Sequence, residues 1–198
     1  QLFVDVETIS STNGVYLYGA QVEAGAFATS YIPTVASQVT RSADVATMTG
    51  TNFSDWFNAT EGAFSAVASI GSLAGAFNMW MSANDNTATR LIAIRHAGAN
   101  STNVIGAVTD TTSQASLFCT TTLAANSNVN AVIAYKANSF AAAGNGTLGG
   151  TDTSGTVPTV NQLQLGSQAG TFFLNGWIQK INYWPQRLTD NEVQAFSK

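Results

Sequence analysis

Charge is what this chain has least of. Only 9% of its 198 residues are Asp, Glu, Lys or Arg, and 7 Lys and Arg stand against 11 acids for a formal net charge of −4. The cations are spread from Arg41 to Lys198 without a basic patch, so nucleic-acid binding by phosphate neutralisation lacks its main driving force. The one cysteine, Cys119, excludes an internal disulfide, and its place in Ser116-Leu117-Phe118-Cys119 predicts a buried, inert thiol. The one histidine, His96, alternates with Ile92 and Ile94 and is expected to be structural; with a single cysteine it furnishes neither a triad nor a zinc site. No long apolar run marks a membrane span and no basic leader marks a signal peptide. The start at Gln1, and not at Met, leads us to expect a fragment or a processed product.

What the chain does have is a core. Hydrophobic residues make up 45%, with 11 Phe, 4 Trp and 5 Tyr, which excludes disorder despite the abundance of small polar residues. The length suits one β-sandwich domain plus an appendage. Residues 1–34 read as that appendage: Leu2, Val4 and Val6 alternate, then Tyr16, Tyr18 and Ala20, with Ser-Ser-Thr-Asn-Gly between them as a turn. An isolated hairpin is marginal in water, so it is expected to be a connector or the end of an upstream module.

Residues 35–198 read as the main domain. Its linker strand VASQVTRSADVATMTG leads to an aromatic cluster, Phe53, Trp56 and Phe57, expected to plug one end of a sandwich, with Ser54 as the cap of a helical turn. Strands are predicted over Gly62–Ile70, Phe77–Met81, Arg90–His96, Asn103–Thr109, Ala115–Thr120 and Asn128–Lys136, with a turn at Ala83–Thr87. Regular short strands separated by polar turns argue for a sandwich or jelly roll. Ala142–Pro158 interrupts that rhythm with the Asn145-Gly146 turn signal and a long Gly/Thr/Ser loop.

The C-terminal end, QLQLGSQAGTFFLNGWIQKINYWPQRLTDNEV, is the most informative stretch. Leu163 and Leu165, then Phe172 and Leu174, predict two strands; Asn175-Gly176 predicts a hairpin turn; Trp177 to Trp184 predicts a third strand that Pro185 ends. Thr189-Asp190-Asn191-Glu192 has the spacing of a capping box opening a short terminal helix. This order of parts, strand–LNG–strand–YWPQRLTDNEV, closely resembles the end of concanavalin A-like (laminin G-like) lectin domains of the type found in bacteriophage tail and virion proteins, over roughly residues 36 to 198. The segment VYLYGAQVEAGAFATSYIPT resembles the closing strands of a module that often precedes that domain in phage proteins.

The resemblance implies an all-β, jelly-roll sandwich of two antiparallel sheets with one short C-terminal helix, and glycan binding. Catalytic members of that superfamily carry acids alternating as Glu-x-Asp-x-x-Glu, a segment this chain lacks. Asp5-Val6-Glu7 is its only alternating acidic pair, and Glu61, Asp85, Asp110 and Asp152 stand isolated, so no enzyme is expected. Lectin-like sandwiches often bind calcium at the rim. Asp85, within Asn84-Asp85-Asn86, and Asp152, with Asn145 near it in sequence, supply oxygen ligands for a weak site, although Asn and Asp also simply make turns. Sugar recognition needs aromatic faces and amide or carboxylate groups. The residues named for it are Trp80, Tyr135, Asn84, Asp85 and Asn145, with core packing the favoured alternative for Trp80 and Tyr135; Trp177 and Trp184 are assigned to the core.

These readings lead to a non-catalytic module of a phage tail or virion protein, binding host cell-surface polysaccharide, and displayed by a homo-oligomer such as a trimer for avidity. The rivals are a structural or decoration domain contacting other virion subunits, and a polysaccharide-degrading glycosidase.

Overall fold

The computed structural model describes residues 21–22, 31–33, 37–40, 44, 46–74, 77–120 and 122–198. The chain divides into two compact units, Gln1–Ala43 and Asp44–Lys198. In the first, Ile32 N donates to Gln21 Oε1 at 2.7 Å. The alternations at 2–6 and 16–20, the Asp5/Glu7 pair and most of the expected connector lie outside the described residues.

The second unit runs β1 (Ala46–Thr49), α1 (Thr51–Ser54), β2 (Glu61–Ile70), β3 (Met79–Asn84), β4 (Arg90–His96), β5 (Val104–Asp110), β6 (Thr112–Thr120), β7 (Val129–Lys136), β8 (Phe140–Gly144), β9 (Thr147–Asp152), β10 (Gln162–Leu165), β11 (Gly176–Trp184) and α2 (Asp190–Phe196). The strands form two antiparallel sheets, a six-stranded one ordered β1-β10-β3-β4-β5-β6 and a five-stranded one ordered β11-β2-β7-β8-β9. This is the expected all-β jelly-roll sandwich.

Period-two alternation sorts the side chains. Phe64, Ala66, Ala68 and Ile70 of β2 and Val129, Ala131, Ile133 and Tyr135 of β7 point between the sheets, where they meet Ile92 and Ile94 of β4 and Val104 and Val108 of β5. Each large side chain buried this way contributes about 1.5–3 kcal/mol. Close approach of the sheets requires Gly106, because a Cβ there would lie 2.8 Å from Ile133 Cδ1.

The outer face of the five-stranded sheet is covered by the chain itself. Ala63, Val132, Ala134, Ala141 and Ala143 pack there against Leu188 and Val193 of the terminal segment. Helix α2 starts at the expected capping box: Glu192 N donates to Thr189 Oγ1 at 3.3 Å, and Thr189 N donates to Glu192 Oε2 at 2.8 Å. Asn145 (φ 49) and Gly146 (φ 80) make the expected tight turn between β8 and β9, with both residues left-handed as a type I′ hairpin requires.

Four expectations are corrected. Phe172–Leu174 is not a strand: Phe172 has φ 52 and only an isolated bridge, Gln168 to Thr171, forms nearby. The segment is tied instead to the six-stranded sheet, with Met79 N donating to Phe172 O at 3.2 Å and Gly166 N to Trp80 O at 3.0 Å. Asn175-Gly176 therefore closes no hairpin; Gly176 opens β11, which pairs with β2. The predicted turn at Ala83–Thr87 begins later, because Ala83 and Asn84 still pair with Leu163 and Gln162. Ser54 ends α1 and does not cap it: Gly50, at φ 61, turns the chain and accepts from Phe53 N and Ser54 N.

Candidate functional site

The aromatic candidates for sugar contact take their alternative place, in the core. Trp80 is fully buried. A bulge between Met79 and Met81 turns both Trp80 and Met81 inward, against the alternation. Its Nε1–H has no hydrogen-bond partner. Tyr135 is also fully buried, its ring stacked on Phe57 and Phe64 at 6.2 Å from each. Its hydroxyl donates to Asn58 O at 3.0 Å, and burial raises its pKa, so the phenol stays neutral. Neither residue offers a face to a ligand. Phe53, 1% exposed, does help plug the sandwich end, stacked on Phe57 at 4.5 Å. Trp177, assigned above to the core, is 51% exposed, because it sits at the edge-strand start of β11. Trp184 is half-buried against α2, stacked on Phe196 at 4.9 Å.

The polar candidates are mostly engaged. Asn84 is buried in an amide network, donating from Nδ2 to Gln164 Oε1 at 2.9 Å and accepting at Oδ1 from Gln162 Nε2 at 2.7 Å. Asn145 holds the hairpin, its Oδ1 accepting from Asn130 N at 3.1 Å. Asp85 and Asp110 both bind Arg90, at 3.5 Å and 3.0 Å. For Asp85, partial burial pushes the pKa up, but hydrogen bonds from Thr87 and Arg90 outweigh it and hold the carboxyl below its ordinary value. Asp152 accepts from Ser154 N and Ser154 Oγ, both at 2.9 Å, as an Asx-turn does.

These residues do not fit calcium. The Asp85 carboxylate already neutralises a guanidinium, Asp152 closes its own turn, and among the described residues no three His, Cys, Asp or Glu side chains converge. His96 and Cys119 are structural as expected. His96 is fully buried, with Nε2 2.7 Å from Ser101 O and Nδ1 3.4 Å from Asn78 Nδ2. Burial pushes the Cys119 thiol up to about 12, which leaves it protonated and inert.

The site that sequence reasoning missed lies on the outer face of the six-stranded sheet. Met79, Leu91, Ala93 and Ala107 form a small apolar cluster there, separate from the inter-sheet core. A cavity of about 160 Å³ opens onto it, walled by Phe77, Phe172, Arg95 and Gln168. Phe77 and Phe172 meet edge to face at 5.5 Å and are each 37% exposed. The Arg95 guanidinium lies over Phe77, 4.3 Å from Cζ to the ring centroid. Arg95 Nη1 is buried without a hydrogen-bond partner, and burial lowers the pKa of this group. An arginine remains charged regardless, so the wall of this cavity is a desolvated cation with an unused donor.

An apolar floor, exposed aromatic edges and an unsatisfied polar donor are the composition of a small-ligand site. A second, wider groove of about 650 Å³ lies between α1 and the β10 end, lined by Phe53, Phe57, Val160, Asn86 and Gln162. Its buried amide is already paired, since Gln162 Nε2 donates to Asn84 and Asn86, and it holds no orphaned donor. We therefore take the smaller cavity as the stronger candidate. One signal was visible in Arg90–His96: Arg95 shares the strand face of Leu91 and Ala93, a cation on an otherwise apolar face.

No family model and no curated protein sequence matches this chain. Among solved structures, the chain is similar to the CBM40 module of the Ruminococcus gnavus IT-sialidase bound to α2,3-sialyllactose, with 16% identity and a TM-score of 0.59 over 70% of this chain and 83% of that one. A heptameric SAP-like pentraxin from Limulus polyphemus shares 12% identity at a TM-score of 0.55, covering 71% of this chain and 70% of that one. The leech intramolecular trans-sialidase shares 17% at 0.58, with 70% of this chain matched to 23% of that one. At these identities the likeness establishes the jelly-roll fold, not the ligand.

Proposed function

We propose that the chain is a non-catalytic carbohydrate-recognition module whose glycan face is the outer surface of the six-stranded sheet. The observation that carries this reading is the cavity between Phe77, Phe172 and Arg95, where aromatic edges, an apolar floor and an unpartnered guanidinium donor meet. The fold likeness to a module bound to sialyllactose supports it. The Asp85–Arg90–Asp110 arrangement supports a non-catalytic role: it favours an ionised Asp85, the reverse of what a glycosidase's general acid requires.

The C-terminal motif supports a setting in a phage tail or other virion protein, acting outside the cell on host surface polysaccharide, with residues 1–34 as the connector. A small cavity binds weakly, so homo-oligomeric display, as in a trimer, would supply the avidity. The test is binding of the purified chain to a panel of immobilised bacterial and plant polysaccharides. Specific binding that Phe172→Ala weakens is the expected result. A folded protein that binds nothing on the panel contradicts the reading and favours a structural role, for which the exposed Trp177 on edge strand β11 is the surface to examine.

A further inference from the structure

The cavity on the outer sheet face is asymmetric in charge. Arg95 reaches it from β4, flanked by Met79 of β3 and Ile105 of β5, its register partners. Neither partner is acidic, and among the described residues the Arg95 side chain forms no ion pair and its Nη1 no hydrogen bond. The other arginines that the structure describes behave differently: Arg90 holds two carboxylates, and Arg187 pairs with Asp190 at 2.7 Å. Among the described residues, one largely desolvated guanidinium is thus left without a carboxylate. The Arg95 guanidinium lies over the Phe77 ring, a contact that binds a cation but leaves in-plane N–H donors free.

Building on the glycan-binding reading, we infer that this cavity takes the carboxylate of an acidic sugar, with Arg95 as the group that selects it. A carboxylate matches the planar fork of a guanidinium, and its two oxygens satisfy the donor that the fold leaves orphaned. At about 160 Å³ the cavity has room for a carboxylate and the carbons beside it. The rest of the ring then lies across the exposed edges of Phe77 and Phe172. The donors needed to hold a neutral sugar's hydroxyls are also offered by serine or glutamine; a half-buried guanidinium with an orphaned Nη1 donor is matched best by an anion. Long-range attraction does not explain such binding, because the chain's net charge of −4 repels a polyanion.

The experiment measures affinity of the full chain for polygalacturonate and for colominic acid, which carry uronate and nonulosonate carboxylates, and for the carboxyl-reduced form of each. Neutral dextran and dextran sulfate complete the set. Arg95→Gln and Arg95→Lys are compared with Lys180→Gln, which removes the same charge from an exposed position on β11. The expected result is binding to one or both carboxylate polymers, with the preferred one identifying the source. It falls about tenfold or more on carboxyl reduction and in both Arg95 variants, and is unchanged in Lys180→Gln. Because the reduced polymers need no variant, the outcome does not depend on how the Arg95 variants fold.

Equal binding to native and reduced polymers, preference for dextran or dextran sulfate, or full binding by folded Arg95→Gln overturns the acidic-sugar inference and leaves the glycan reading standing. No binding to any of the six by a folded chain, on this set and on the broader panel, overturns both.

Discussion

The two sheets of this sandwich treat their outer faces in opposite ways. On the five-stranded sheet, small residues of β7 and β8 make a flat bed that Leu188 and Val193 cover; the covering helix is capped at its N-terminus by Thr189 and Glu192, and Asn130 Nδ2 donates to Phe196 O at its C-terminal end. On the six-stranded sheet, an apolar patch is left under a cavity rimmed by exposed phenylalanines and a cation without an anion. The first face is finished by the fold; the second, on our proposal, is completed by a ligand. Folding alone explains the first, whereas a desolvated guanidinium on the second costs stability and so calls for another reason.

The comparison is broken most severely by spoiling the covered face. Val193→Asp places a carboxylate in a fully buried apolar contact and is expected to lower unfolding free energy by about 3 kcal/mol or more, read by urea denaturation. A loss below about 1 kcal/mol would mean that α2 is dispensable as a cover.

Trimming the open face has the contrary signature. Phe172→Ala removes a ring that is 37% exposed, so stability shifts by less than about 1 kcal/mol, while polysaccharide affinity falls roughly fivefold, the loss of about 1 kcal/mol of aromatic contact. Calorimetric titration beside a thermal melt separates the two.

A milder change on the covered side is Thr189→Ala, which deletes the hydroxyl of the capping box and is expected to cost about 1 kcal/mol with glycan binding intact. The smallest effect is a pH dependence. Hydrogen bonds from the Thr189 hydroxyl and backbone hold the exposed Glu192 carboxyl below its ordinary pKa. A depressed folded-state value means stabilisation that is present above the unfolded-state pKa and is lost as pH falls through the folded one. Urea midpoints measured from neutral pH down through the carboxylate range should therefore show a small acid loss that Thr189→Ala reduces.

Much of the fold was legible because local rules and tertiary structure agree. The strand at Arg90–His96, the Asn145-Gly146 hairpin and the Thr189 capping box each follow from pattern alone. Where they disagree, sequence reading failed for identifiable reasons. Phe172 and Leu174 alternate like a strand, but the backbone there is spent on Met79 and Gly166, and Asn175-Gly176 leads into a strand with a distant partner. Trp80 looked available because alternation hides the bulge beside it. The candidate site was mostly illegible. Tyr135 is a core ring and Asn84 a buried network member, while the cavity joins Phe77, Arg95, Gln168 and Phe172 from three separated parts of the chain. Arg95 alone gave a sign, and a cation on a strand ordinarily reads as solvent-facing.

The most direct test of the difference between the two faces is Arg95→Met, assayed at once for stability and for binding to the polysaccharide that the wild-type chain prefers. If the open face is a ligand site whose cation is unpaired until a glycan arrives, the variant unfolds at equal or higher urea concentration, by up to about 1–2 kcal/mol, and loses binding. A variant that is clearly destabilised yet binds as the wild type does would show that Arg95 is a structural residue, and the account of this face would be wrong.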